Sequence, residues 1–212
     1  DVTGYMGYEA RQQREFLFVK NRFVMIRDET TFDDHFQTAV GPVWNTQCIG
    51  TPRGKNWLNT WFRGHFFQGV QLYESPPWDL LIYYSPNPDS EIVVSEAPID
   101  TPFKTQLVST QYRWQGEVSP GKRLQFVTLL LPHPPTQNAT LLARKIRVLI
   151  DRPGCAAMEF SDAHRREFAM LNAEGDLMEL DLSSGRRIVT DAQAIYLDHH
   201  ASAEDRFFVR QA

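Results

Sequence analysis

Residues 15–28 read EFLFVKNRFVMIRD. Two apolar runs, Phe16-Leu17-Phe18-Val19 and Phe23-Val24-Met25-Ile26, flank Lys20-Asn21-Arg22. Each run is too short for an ordinary helix and is rich in Phe, Val and Ile, which predicts two strands. Asn21 tolerates the left-handed backbone of a tight turn, so the strands form a hairpin. Both faces of each strand are apolar: Phe16 and Phe18 point one way, Leu17 and Val19 the other. A hairpin of this kind needs protein above and below it, which implies stacked sheets.

Upstream, Gly4-Tyr5-Met6-Gly7-Tyr8 with Arg11 and Arg14 reads as an aromatic loop leading into the hairpin. Downstream, residues 37–49 give two short strands broken at Gly41-Pro42. Residues 104–115 and 123–131 read as a long antiparallel pair joined through Ser119-Pro120-Gly121. Residues 134–140 read as a surface loop containing the acceptor pattern Asn138-Ala139-Thr140, and a strand is expected over 143–150. The last third is a run of short hairpins, with turn signals every roughly 8–12 residues, and no helix of about ten residues or more is expected. The fold class is therefore all-β: a multi-stranded antiparallel β-sandwich of stacked sheets, supersandwich-like, with little or no helix. Residues 1–212 are read as one domain, with a weaker sub-boundary near 135–142.

The chain of 212 residues is 42% hydrophobic and 23% charged, an ordinary globular composition. A formal net charge of -4 gives no general reason to expect nucleic acid as a partner. No apolar run is long enough for a membrane-spanning helix. The first residues, Asp1-Val2-Thr3-Gly4-Tyr5, read like the interior of a longer protein, so a fragment is expected. Cys48 and Cys155 have no CxxC spacing and read as two buried thiols, with a disulfide left open.

Histidines are scattered, and none makes a close zinc spacing. The one cluster, Asp198-His199-His200, is read as a loop just after a strand, either a polar surface loop or part of a site on a β scaffold. No nucleophile elbow, P-loop or dinucleotide motif is present. No cofactor, metal ligand or catalytic residue is assigned. The aromatic block 57–73 is more suggestive. Strand alternation puts Trp57, Asn59, Trp61 and Arg63 on one face, with His65 continuing the block, and sugar rings stack on such faces through their C–H surfaces. The competing reading makes both tryptophans sandwich core. Tyr5, Tyr8, Arg11 and Arg14 form a second candidate group, contacting an acidic sugar through arginine or packing against a neighbouring domain.

The stretch REFLFVKNRFVMIRDET, residues 14–30, resembles the hairpin that opens the C-terminal β-sandwich of heparinase II/III-like polysaccharide lyases. Gly116 to Gly121 with Phe126 to Pro132 looks like a later strand pair of that sandwich, and Thr190-Asp191-Ala192 with Arg206-Phe207-Phe208-Val209 is similar to its closing strands. In that family an α/α toroid precedes the sandwich, and acidic polysaccharides are cleaved by β-elimination between them. The family's catalytic and metal residues have no matching positions here, so none is carried over. The resemblance implies a module that braces a catalytic toroid of the same parent protein, contacts acidic polysaccharide, and is periplasmic or secreted. Two other readings stand beside it: a stand-alone carbohydrate-binding module using the aromatic face, and an independent β-scaffold enzyme using Asp198, His199 and His200.

Overall fold

A computed structural model describes residues 2–3, 9–48, 51–61, 65–67, 70–73, 78–98, 106–162, 165–200 and 206–211. Of these, 2–3, 47, 65–67, 70–73, 96–98, 106–107 and 200 are described by their backbone alone. In chain order the first strands are β1 (Val2–Thr3), β2 (Ala10–Val19), β3 (Phe23–Phe32), β4 (Phe36–Val40), β5 (Val43–Gln47) and β6 (Trp57–Thr60). There follow β7 (His65–Phe67), β8 (Val70–Tyr73), β9 (Asp79–Tyr84), β10 (Ser90–Pro98), β11 (Gln106–Val118) and β12 (Arg123–His133). A short helix, α1 (Ala139–Ala143), precedes β13 (Ile146–Arg152), β14 (Cys155–Ser161) and β15 (Arg165–Asn172). The chain closes with β16 (Met178–Asp181), β17 (Arg187–Thr190), β18 (Ala194–His200) and β19 (Arg206–Arg210).

The fold is all-β, and every strand pairing is antiparallel. The first sheet has the order β1-β2-β3-β12-β9-β6, the second β10-β11-β4 with β5 also on β11, and the third β13-β14-β15-β18-β19. The hairpin β2–β3 forms as the sequence predicts, with Asn21 at φ 62° in its turn.

Strand alternation explains the stacking. In the first sheet Leu17, Met25, Leu81 and Leu129 face one way and pack on Ala156, Met158, Ala169 and Ala194 of the third sheet. Its other face presents Phe32, Leu58, Ile82 and Phe126 to Tyr112, Trp114 and Val118 of the second sheet. The outer face of the third sheet, through Ala157, Phe168 and Met170, packs on Met178 and Leu180 of the β16–β17 hairpin. Three sheets and a hairpin therefore share three apolar cores, each side chain serving the layer its parity selects.

Several sequence expectations need correction. Strands β11 and β12 do not pair: β11 pairs with β10, β4 and β5, and β12 with β3 and β9. The turn at 119–122 carries the chain from one sheet to the next, and Gly121 N–H donates to Phe32 O at 2.7 Å. The break at Gly41-Pro42 does occur, and it lets β4 and β5 lie end to end along one edge of β11. Gly41 has φ 149°, and a Cβ there would sit 1.8 Å from Tyr112 O, so no larger residue fits. Part of the 134–140 loop is the start of α1, with Asn138 as its N-cap accepting from Leu141 N–H at 3.2 Å. Strand β13 starts at Ile146, later than expected. Cys48 and Cys155 are free and buried.

One polar network crosses the interface between the first and third sheets. Arg27 is fully buried; its Nε donates to Glu15 at 2.7 Å and its Nη1 to Glu29 at 2.6 Å. Glu29 also accepts from Gly154 N–H at 2.8 Å and from Arg123 Nε at 2.7 Å. Burial alone would raise the Glu29 pKa, but the Gly154 N–H, Arg123 and Arg27 outweigh it and hold the carboxyl below its ordinary value of 4.5. A depressed carboxylate pKa stabilises the fold above the unfolded value and loses that contribution as pH falls through the folded one. Unfolding free energy measured by urea titration should therefore drop below about pH 4.5, with a shallower drop in Glu29→Gln. Arg27→Ala, which takes the buried cation away from Glu15 and Glu29, should cost about 3–5 kcal/mol in the same titration; the double variant Arg27→Met/Glu29→Gln, which removes both members of the Arg27–Glu29 pair, should cost less than Arg27→Ala.

Candidate functional site

A cleft of about 400 Å³ opens between the first and second sheets. Gln12 and Arg14 of β2 and Asp28 and Thr30 of β3 line one side; Thr38, from β4, and Gln111, from β11, line the other. The register places these groups together: Arg14 lies opposite Asp28 and Gln12 opposite Thr30. The Gly41-Pro42 break forms part of the wall. Arg14 makes a two-point pair with Asp28, with Nη2 at 2.9 Å, and its guanidinium stacks 5.5 Å from the Trp44 ring centroid. Asp28 raises the Arg14 pKa. Because this pair is internally neutralised, the cleft offers mainly amide and hydroxyl groups, which suit neutral hydroxylated ligands through paired donors and acceptors.

The face of β2 that lines the cleft continues into Phe16 and Phe18, which are 60% and 68% exposed. Their partners in β3, Ile26 and Val24, lie on the same face, where Ile26 is buried and Val24 half-buried. The sequence expectation of protein on both sides of the hairpin therefore holds for β3, whereas the outward-facing phenylalanines of β2 are uncovered among the described residues.

The candidate group Tyr5, Tyr8, Arg11 and Arg14 does not converge as described. Tyr5 and Tyr8 lie outside the described residues. Arg11 and Arg14 are three positions apart on β2, so they point to opposite faces of the sheet, and Arg14 alone of the two lines the cleft.

The aromatic block is placed differently from the stacking platform its alternation suggests. Trp57 is half-buried against the core between the first and third sheets. Its indole lies on Gly54, where a Cβ would come within 2.1 Å of Nε1. Asn59 is 5% exposed, with its amide oxygen 2.7 Å from His133 Nε2. Pro134 O lies 3.0 Å from His133 Nδ1 and can only accept, so Nδ1 carries a proton and donates to it. Asn59 thus serves a buried histidine. Trp61 is half-buried with a partner of its own. Arg63 lies outside the described residues, and of His65 the backbone alone is described, in β7.

Asp198, His199 and His200 lie within β18, not in a loop after it. Successive strand residues face opposite sides, so Asp198 and His199 cannot share a ligand. Asp198 accepts two bonds from Arg165, at 2.7 and 2.6 Å, on the side facing the first sheet. Among the described residues no group of three or more metal-ligating side chains comes together, and no helix is long and apolar enough to cross a membrane.

The sequence reading missed Gln12, Asp28, Thr30 and Gln111 as cleft residues. Period-two alternation through Gln12, Arg14, Phe16 and Phe18 was the signal that could have placed Gln12; the contribution of β11 depends on sheet pairing. No protein-family model matches the chain, and no curated protein matches it in sequence.

Asn59→Ala should orphan the His133 ring nitrogen and destabilise the protein by about 1–3 kcal/mol in thermal or urea unfolding. A surface sugar contact at Asn59 would instead predict unchanged stability with weaker ligand binding.

Proposed function

We propose that this chain is a non-catalytic β-sandwich module of a heparinase II/III-like polysaccharide lyase. It braces the helical toroid that carries out β-elimination, and it contacts the polysaccharide beside that toroid. The observation that carries this reading is the pair Phe16 and Phe18, exposed on a sheet whose adjoining strand is packed on both sides. Burying one Phe side chain contributes about 1.5–3 kcal/mol, so two on one strand face favour a covering partner. They belong to the same hairpin, residues 14–30, whose pattern resembles the opening of the lyase sandwich. The occupant of this face is the toroid domain of the parent protein. The adjoining cleft, with its amide and hydroxyl lining, then lies at the edge of the interdomain groove and hydrogen-bonds sugar hydroxyls. A periplasmic or secreted location accompanies this reading.

The test is a lyase assay that follows the ultraviolet absorbance of the unsaturated uronate product from heparin, heparan sulfate, alginate and chondroitin. The isolated chain should be inactive. The parent protein should be active and should lose activity and thermal stability when Phe16→Ser/Phe18→Ser separates its domains. Elimination activity from these 212 residues alone, or a fully active double variant of the parent, would sink the proposal.

A further inference from the structure

The third sheet has two edges, and they are built differently. At one edge, β13 carries Arg147, Asp151 and Arg152, and its register shifts between Val148 and Ile150. Charges and bulges of this kind keep an edge from pairing with other chains. At the other edge, β19 reads Arg206-Phe207-Phe208-Val209-Arg210 and pairs with β18 in unbroken register. No strand pairs with its far side among the described residues.

Every residue of β19 is exposed, including Phe207 at 74%, Phe208 at 51% and Val209 at 46%. Phe207 lies opposite Leu197, which packs into the outer core, and Phe208 opposite Tyr196, which packs on the inner one. Alternation therefore puts Phe207 and Val209 on the outer face, and Arg206, Phe208 and Arg210 on the inner face. On the outer side Phe207 borders a cavity of about 240 Å³ beside the turn of the β16–β17 hairpin. Phe168, Leu182 and Leu197 line that cavity, and Arg166, Arg186 and Arg187 also border it. A body docked on one face of the sheet would cover either Phe207 and Val209 or Phe208. A strand added at the edge flanks all three.

The backbone of β19 is set for such an addition. Arg210 O accepts from Gln193 N–H at 2.9 Å, so the main-chain groups of Arg210 turn toward β18. Alternation then turns the N–H and C=O of Phe207 and Val209 outward, away from the sheet.

The two arginines decide the partner. They share the inner face at the two ends of the strand, and neither makes an ion pair among the described residues. Asp198, opposite Arg206, accepts from Arg165 through both oxygens. A second copy laid antiparallel over the same residues would set Arg206 against Arg210, and like charges directly opposite are destabilising. A strand with a carboxylate at each end and apolar residues between matches both arginines, whichever way it runs.

We infer that β19 is a docking edge for an extended acidic segment of another protein, which extends the third sheet with apolar residues beside Phe207, Phe208 and Val209 and carboxylates beside Arg206 and Arg210. Main-chain bonds give the affinity, and the two carboxylates give the selectivity. This role is independent of the lyase reading: it uses neither Phe16 and Phe18 nor the cleft of Arg14 and Asp28.

The test titrates a capped synthetic peptide, Thr-Glu-Val-Val-Val-Glu-Thr, into the isotope-labelled isolated chain and follows its backbone amides. Shifts and slowed hydrogen exchange should concentrate at Phe207 and Val209. The same peptide with lysine in place of both glutamates should bind roughly tenfold more weakly, and Arg206→Glu/Arg210→Glu should reverse that order. Both arginines are exposed, so the variant should fold, as its unshifted remaining resonances will show. A peptide N-methylated at every valine should lose binding, because its bonding amides are blocked. Equal binding of the glutamate and lysine peptides would overturn the acidic partner. Full binding of the N-methylated peptide, or no shift at millimolar peptide, would overturn the edge. Shifts of the β19 amides that grow with protein concentration in the absence of peptide would assign the edge to a second copy and overturn the partner. Phe16 and Phe18 are untouched throughout, so failure here leaves the bracing role standing, and failure of the domain-separation variant leaves this edge standing.

Discussion

The buried guanidinium of Arg27 is the constraint on which the layered structure depends. It sits in the first sheet with no exposed surface, held by Glu15, Glu29 and Gln125. Gln125 and Glu29 in turn reach the third sheet through Cys155 O and Gly154 N–H, and Arg123 carries the network on to Glu174. One nitrogen, Arg27 Nη2, has no hydrogen-bond partner among the described residues. Burying a charge is favourable only with good geometry and satisfied partners; the partners of Arg27 lie in the first sheet, and two of them, Glu29 and Gln125, bond onward to Gly154 and Cys155 beside the third. The same network therefore fixes the spacing and register between sheets that apolar contacts alone would leave free to slide. Arg22 with Glu167 and Tyr196 does the same at the hairpin turn.

With the layers fixed, the two recesses follow from where neighbouring layers end. The second sheet covers the end of the first sheet that contains Phe32, Tyr84 and Phe126, but not the hairpin end with Phe16 and Phe18. The cleft of Arg14 and Asp28 lies at that boundary. On the far side, the β16–β17 hairpin covers Met170 and Ile195 closely, and the cavity opens where Ser183 turns over Glu159. The first recess is internally neutral and the second is rimmed by arginine.

Much of the architecture was legible in the sequence. The turn at Asn21, the break at Gly41-Pro42 and the short hairpins of the last third rest on local backbone preferences that the tertiary structure does not override. The candidate sites were less legible. Trp57 and Asn59 do share a face, but that face looks inward, to the core and to His133. Asp198-His199-His200 continues a strand, since backbone pairing with Arg165 and Arg166 extends β18 past the apolar residues that marked it. Arg14 became a cleft residue through pairing with Asp28, fourteen positions away.

By itself the sequence determined the class of elements, their turns and which side chains share a face, because these depend on φ/ψ preference and period-two alternation within a few residues. Only the tertiary structure decided what each face meets. Strands β11 and β12 are consecutive in the chain, and either could have paired with the other; hydrogen-bond ladders are chemically alike, so the choice fell to side-chain burial across sheets. The same parity that buries Leu17 exposes Phe16 and Phe18, and the difference lies in the extent of a sheet built from residues far along the chain.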